Sequence, residues 1–304
     1  MLALIAGTGD LPPALLARLA ARPIVCALQG FAPQITPDIT FRIEQLGSFL
    51  ADLSARGVTR ICMAGAVKRP VIDPAQIDAA TLPLVAGLQT AMAKGDDGTL
   101  RGVIAIFENA GFAVVAAHDL APDLLPATGI STKKTTSLEQ VADAEAGEMC
   151  IHTLGLSDIG QACIVRGGLA VLREDSEGTD AMLRKLASTY QSPKKPDSFS
   201  FDPFLLPFEV VVAAANGVTD WLAGEPVPQS KPEGGILFKA PKPDQDRRAD
   251  LPVIGPRTAM LAAEARLDGI VIEAGGVMVL NLDGVLEILD AQKMFLWVRP
   301  KGGA

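Results

Sequence analysis

Three features of the sequence predict an α/β fold in two domains. Short apolar runs alternate with Ala- and Leu-rich helical stretches up to residue 116, the rhythm of a mostly parallel sheet covered on both faces. The rhythm breaks at 121–137 (APDLLPATGISTKKTTS), where two prolines, a glycine and a Ser/Thr/Lys cluster mark a boundary. The chain's 304 residues also exceed what one domain of ~100–200 residues holds. The expected division is an open, mostly parallel α/β sheet over 1–130 and a second α/β domain over 131–304.

In chain order, the apolar run 2–6 ending in glycine reads as a buried first strand, and 13–21 as a helix. A strand at 23–28, a helix at 47–55 and a buried strand at 60–64 follow. Helices are expected at 81–93 and at 99–110, the latter closed by Gly111, and then a strand at 112–116. The second domain should open with a helix over 138–154. Gly167-Gly168 between the apolar runs 163–166 and 169–172 predicts a hairpin. A helix follows over 179–189, with Gly178 or Thr179 near its N-cap. Residues 189–234 carry 7 of the 22 prolines and 4 of the 11 phenylalanines, and read as an elaborated insertion with one packed strand at 209–213. Beyond it come a strand at 236–239, a helix at 258–266 and strands at 269–273 and 277–280.

Composition excludes several functions. Hydrophobic residues make up 49% and charged residues 20%, so the chain has material for cores and no signature of disorder. A balance of 27 basic to 35 acidic side chains, net −8, argues against a nucleic-acid partner and against docking on anionic lipid by overall charge. It leaves room for one local basic site. Cys26, Cys62, Cys150 and Cys163 are scattered with no CxxC pair, so neither a zinc site nor a disulfide framework fits, and a reducing cytoplasm does. The apolar start is interrupted by Gly7 and Asp10 and lacks a basic leader, too short for a signal peptide or a spanning helix. With only His118 and His152, His-based catalysis has almost no material, and His118 reads as a structural cap.

Five motifs carry chemistry. Gly7, Gly9 and Asp10 sit between the first strand and a helix, where backbone can approach a phosphate or sugar. Pro12 stands where a dinucleotide fingerprint wants glycine. Lys68 and Arg69 follow the 60–64 strand, at the sheet edge where substrates bind. Asp96 and Asp97 suit Mg²⁺, but their spacing favours capping the next helix. Glu177 and Thr179 flank Gly178 at a helix start, where a cap explains them almost as well as a ligand. The strongest is KAPKPDQDRRADLPVIGPRT at 239–258. Residues 236–258 hold five basic and three acidic side chains, a net +2 within a chain of net −8, and four prolines that fix an irregular loop. Interleaved carboxylates and cations of this kind suit a phosphate ester.

Taken in order, LIAGTGDLP at 4–12, AGAVKRP at 64–70, KGDDGTLR at 94–101, IGQACIVRGG at 159–168, EGTDAMLRK at 177–185, the 239–258 loop and GIVIEAGG at 269–276 resemble one family over nearly the whole chain. It is the UDP-2,3-diacylglucosamine pyrophosphatase family of the LpxI type. The resemblance implies hydrolysis of UDP-2,3-diacylglucosamine to UMP and 2,3-diacylglucosamine 1-phosphate in lipid A biosynthesis, with water attacking the sugar-side phosphorus. It implies Mg²⁺ or another divalent metal, a cytoplasmic enzyme, and two domains closing over the substrate. On that basis Asp246 is the first choice for a catalytic or metal-binding carboxylate, with Gln245, Arg247 and Lys242 beside it. Asp250, Glu177, Asp96 and Asp97 are further metal candidates. Gly7, Gly9, Asp10, Lys68, Arg69, Gln161, Thr179, Arg248 and Thr258 are expected to bind substrate. The expected partner is an amphipathic nucleotide-sugar lipid, with at most a transient membrane-surface contact; a homodimer stays open. The chain departs from the family at 170–175 (AVLRED in place of an AVEA-like run), at Asp244 (where the family has glycine) and in the length of the 189–234 insertion. The alternatives are a nucleotide-sugar oxidoreductase, which Pro12 disfavours, and a non-catalytic carrier with the same cleft.

Overall fold

The two apolar faces of the first strand set the first domain. In β1 (Leu2–Ala6) every residue is buried. Ala3 and Ile5 face a core with Phe49, Leu53, Ile104 and Phe107, and Leu2, Leu4 and Ala6 face another with Leu15, Val25 and Leu124. A computed structural model describes residues 1–68, 70–93, 95–155, 160–190, 233–243 and 245–302, with the side chain of Asp96 left aside. Most of the 189–234 insertion, including the strand expected at 209–213, therefore lies outside the described residues.

Around β1 run β2 (Ile24–Leu28), β3 (Ile39–Phe41), β4 (Arg60–Ala64) and β5 (Ala113–Val114), in the order β3-β2-β1-β4-β5, all parallel. The helices are α1 (Leu11–Leu16), α2 (Leu46–Ala55), α3 (Val85–Met92), α4 (Gly95–Asn109) and α5 (Ala117–Leu120). The strand order reverses between β1 and β4, and such a switch point opens a crevice at the carboxyl ends of the strands.

The second sheet is mixed. It holds β6 (Gly129–Ile130), β7 (Ala162–Arg166), β8 (Leu169–Arg173), β9 (Ile236–Lys239), β11 (Gly269–Glu273) and β13 (Phe295–Arg299), ordered β6-β13-β11-β9-β7-β8. β9, β11 and β13 are parallel; β6, β7 and β8 pair antiparallel. The helix α6 (Leu138–Gly155) covers one face through Cys163, Val165, Phe238 and Phe295. On the other face lie α7 (Thr179–Ser188), α8 (Pro256–Glu264) and α9 (Leu282–Ala291). A separate parallel pair, β10 (Val253–Ile254) with β12 (Met278–Val279), lies beside the first domain. There Leu251, Met278 and Leu280 pack into the same core as Leu4 and Leu15.

Several bounds differ from expectation for local reasons. α1 starts at Leu11 because Pro12 and Pro13 fit a first helical turn, and it ends at Leu16, short of residue 21. α4 starts at Gly95, so Asp97 sits inside its first turn rather than capping from outside. α8 starts two residues early, on Pro256. β3, an edge strand of three residues, and the final pair α9 and β13 were not anticipated. The hairpin holds: Gly167 (φ 58°) and Gly168 (φ 74°) both take the left-handed region, and the Gly168 N–H donates to the buried Asp143 carboxylate at 2.6 Å. All four cysteines are buried and free. No helix among the described residues is long and apolar enough to cross a membrane.

The crevice edge is backbone against backbone. The Gly7 N–H donates to Ala64 O at 2.8 Å, and Thr8 and Ala66 exchange two bonds of 2.9 Å. A Cβ on Gly7 would lie 2.5 Å from Ala66 O. Gly7→Ala should therefore destabilise the protein by about 1–3 kcal/mol, read as a lower urea midpoint with an unchanged slope.

Candidate functional site

A cleft of about 390 Å³ opens at the switch point and is walled by both domains. Gly9, Asp10, Gly65 and Ala66 come from the strand ends of the first sheet; Asp180, Arg247, Arg248, Asp250, Arg257 and Thr258 come from the second domain. The 239–258 loop and the first glycine turn, far apart in sequence, thus face one space.

Arg248 organises the loop. Its Nε and Nη2 donate to the two oxygens of Asp246 at 3.0 and 2.8 Å, and its Nη1 donates to Glu108 Oε1 on α4 at 2.6 Å. The Asp246 N–H reaches Asp97 Oδ1, also on α4, at 3.4 Å, while Asp97 Oδ2 accepts from Arg101 at 2.7 Å. The Arg248 guanidinium holds the Asp246 carboxyl below the usual carboxylate range, and the two carboxylates hold Arg248 firmly charged.

Asp250 lies in a different setting. Gln161 Nε2 donates to its Oδ2 at 2.9 Å, and Gln245 Nε2 donates to the same oxygen. Gln245 is held in turn by the Lys242 N–H, which donates to its Oε1 at 2.9 Å. Oδ1 of Asp250 has no hydrogen bond among the described residues. Burial pushes the Asp250 carboxyl up, against the pull of Lys242, the two amides and Lys239.

Behind this wall runs a buried polar chain. Glu174 accepts from the Gln161 N–H at 2.5 Å and from Thr179 Oγ1 at 2.6 Å, and Lys239 Nζ donates to Thr179 Oγ1 at 2.8 Å. Burial lowers the Lys239 pKa, and the charges of Glu174, Asp180 and Asp250 oppose that shift. Thr179, expected to touch substrate, is buried within this chain.

The remaining candidates divide. Gly9, Asp10, Arg247, Arg248, Asp250 and Thr258 line the cleft. Gly7 is behind its rim, and Gln161, Gln245, Asp246, Lys242 and Asp97 support it without lining it. Lys68 and Glu177 are exposed and do not line it. Arg69 and the Asp96 side chain lie outside the described residues. Sequence reasoning did not select Glu108; it counted Lys239 and Arg257 among the cations of the 239–258 loop and Asp180 in the helix-start motif, without giving any of the three a site role. Arg257 Nε lies 2.8 Å from Asp180 Oδ2, an ion pair that links α7 and α8. Arg247, on the same loop as Arg248, pairs with Glu273 at 3.1 Å.

No three Asp, Glu, His or Cys side chains are grouped to hold a metal among the described residues. A Mg²⁺ ion needs fewer, since it takes one or two carboxylates together with substrate phosphate oxygens. Of the three carboxylates lining the cleft, Asp180 is ion-paired, while Asp10 and Asp250 are in no ion pair among the described residues. Asp10 accepts from Gln34 at 2.7 Å through Oδ1 only. That donor set fits Mg²⁺ on a bound diphosphate. Asp246 fits less well, because Arg248 occupies both of its oxygens.

The two aspartates should affect stability with opposite signs. The folded chain holds the Asp250 proton more tightly than the unfolded one, so ionising Asp250 costs stability as pH rises through the carboxylate range. Asp250→Asn should raise the urea midpoint at neutral pH, and the gain should vanish in acid. Asp246 is the reverse: its contribution is present at neutral pH and is lost as pH falls, so Asp246→Asn should lower the neutral midpoint.

Comparison with known proteins gives matches along almost the whole chain. Residues 1–124 match the model of the LpxI N-terminal domain, and 127–297 match that of the LpxI C-terminal domain. A curated protein of Caulobacter vibrioides, UDP-2,3-diacylglucosamine pyrophosphatase LpxI, is 33% identical over 301 residues, covering 97% of this chain and 96% of its own length.

Proposed function

The chain belongs to the LpxI family, and on that premise we propose that it hydrolyses the diphosphate of UDP-2,3-diacylglucosamine to UMP and 2,3-diacylglucosamine 1-phosphate. The observation that carries this reading is the cleft wall, in which Arg247, Arg248, Arg257 and the Asp250 carboxylate share one space with the Gly9 turn. Cleaving a diphosphate needs charge neutralised on the phosphates and a water oriented for in-line attack. The three guanidiniums supply the first. Asp250 supplies the second: two amides fix Oδ2, and Oδ1 is left to accept a proton from the attacking water. Burial, which raises its pKa, makes Asp250 a stronger base than an ordinary carboxylate. Asp246, in this reading, sets the position of the loop.

A divalent metal, when bound, would screen charge on the diphosphate, and Asp10 is the side chain that would hold it with phosphate oxygens. The apolar lining of the same cleft, Leu11, Met63, Leu251, Ile254 and Met278, suits the diacylated half of the substrate.

The test is UMP release from UDP-2,3-diacylglucosamine with Mg²⁺ and with EDTA. Wild-type protein should release UMP, and chelation should remove most of the rate. Asp250→Asn should lower kcat by about 10²–10⁴-fold with little change in KM. Asp246→Asn should lower kcat less and should raise KM. Full turnover by Asp250→Asn would remove it from the mechanism, and substrate binding without any UMP release would favour a carrier.

A further inference from the structure

We propose that the exposed Val67, Lys68 and Val71 of the loop after β4 form a contact for an anionic phospholipid surface that seats the cleft mouth on the bilayer. The inference rests on the proposed substrate being a diacylated lipid. Both ends of the loop are fixed. At its start, Ala66 is bonded to Thr8 by the two backbone bonds of 2.9 Å and by Thr8 Oγ1, which donates to Ala66 O at 3.1 Å. At its end, the Asp73 N–H donates to Glu44 Oε1 at 2.9 Å, and Glu44 is itself buried and paired with Arg42 at 3.2 Å.

Between these fixed points the described residues are Val67, Lys68, Pro70, Val71 and Ile72, one cation and no carboxylate. Val71 is 95% exposed and Val67 45%. Isolated exposed apolar residues need no explanation, but here two valines flank an exposed lysine on a tethered tip. Apolar side chains that enter the headgroup region beside a cation are the composition of an interfacial contact. The position agrees with that use. Gly65 and Ala66 line the cleft, so the tip starts at the residue after its rim. A substrate with two acyl chains resides in a bilayer, and an enzyme that draws it into a cleft gains by bringing the cleft mouth to the membrane. The net charge of −8 opposes docking by overall charge, and screening over ~8 Å at physiological salt confines the attraction to the tip.

The full chain would be sedimented with phosphatidylcholine vesicles, with and without phosphatidylglycerol, and compared with Val71→Asp and with the Val67→Asp/Val71→Asp double variant. UMP release would be measured on substrate carried in the same vesicles and on a short-acyl analogue monomeric in solution. The wild type should bind the phosphatidylglycerol vesicles, and the double variant should bind about tenfold or more weakly. The double variant should lose rate on vesicle-borne substrate in the same proportion and should keep the wild-type rate on the soluble analogue. Wild-type protein that stays off anionic vesicles, variants that bind as well as wild type, or equal losses on both substrates would each overturn the contact. If no protein releases UMP from either substrate, the proposed hydrolysis fails, while the sedimentation result still decides the contact.

Discussion

Arg248 is the interaction on which the rest of the site depends. One guanidinium holds both oxygens of Asp246 within its own loop and reaches Glu108 on α4 of the other domain. Between β9 and β10 the segment it clasps is irregular and proline-rich, held among the described residues by turn bonds such as Ala249 N–H to Asp246 O at 3.3 Å and not by a strand ladder. A forked, permanently charged group that binds two carboxylates at once fixes both the loop's shape and its distance from the first domain. The nearby contact between the Asp246 N–H and Asp97 repeats the link to α4. The cleft between the domains takes its width from these contacts and from the shared apolar core of Leu251, Met278 and Leu280 against Leu4 and Leu15.

Behind the cleft, charge is buried where a core would otherwise be apolar. Lys239 ends a fully buried strand, and Glu174 and Thr179 close a chain that runs through Gln161 to Asp250. Each group in that chain has a partner, which keeps the cost of its burial finite. Asp250 still sits at a raised pKa, so the fold is less stable for carrying it. A cleft-lining carboxylate kept at such a cost, with one oxygen fixed by two amides, is what oriented-water catalysis requires.

Much of the fold was legible because buried strands are written as continuous apolar runs. The bounds of β1, β4, β9 and β11 match those runs, and Gly167-Gly168 marked the hairpin turn. β3 was missed because an edge strand of three residues carries too little pattern, and α9 because its start depends on Asn281 in a left-handed conformation (φ 50°). The 239–258 loop was visible from its local charge of +2. The division of labour inside it was not. Sequence spacing cannot show that Arg248 occupies Asp246 while two glutamines hold Asp250, nor that Glu108, one acidic residue on an exposed helix face, is the partner across the domains. Asp97 looked like a cap for the same reason, since its contact to the loop is made only in the folded pair of domains.

The central claim is that Arg248 couples the two domains through Glu108 to set the catalytic geometry. A double-mutant cycle on kcat/KM for UMP release, using Glu108→Gln, Arg248→Ala and the pair, tests it most directly. The account predicts that Glu108→Gln alone lowers kcat/KM several-fold and adds almost nothing once Arg248 is alanine. Independent, additive losses, or no loss from Glu108→Gln, would contradict it.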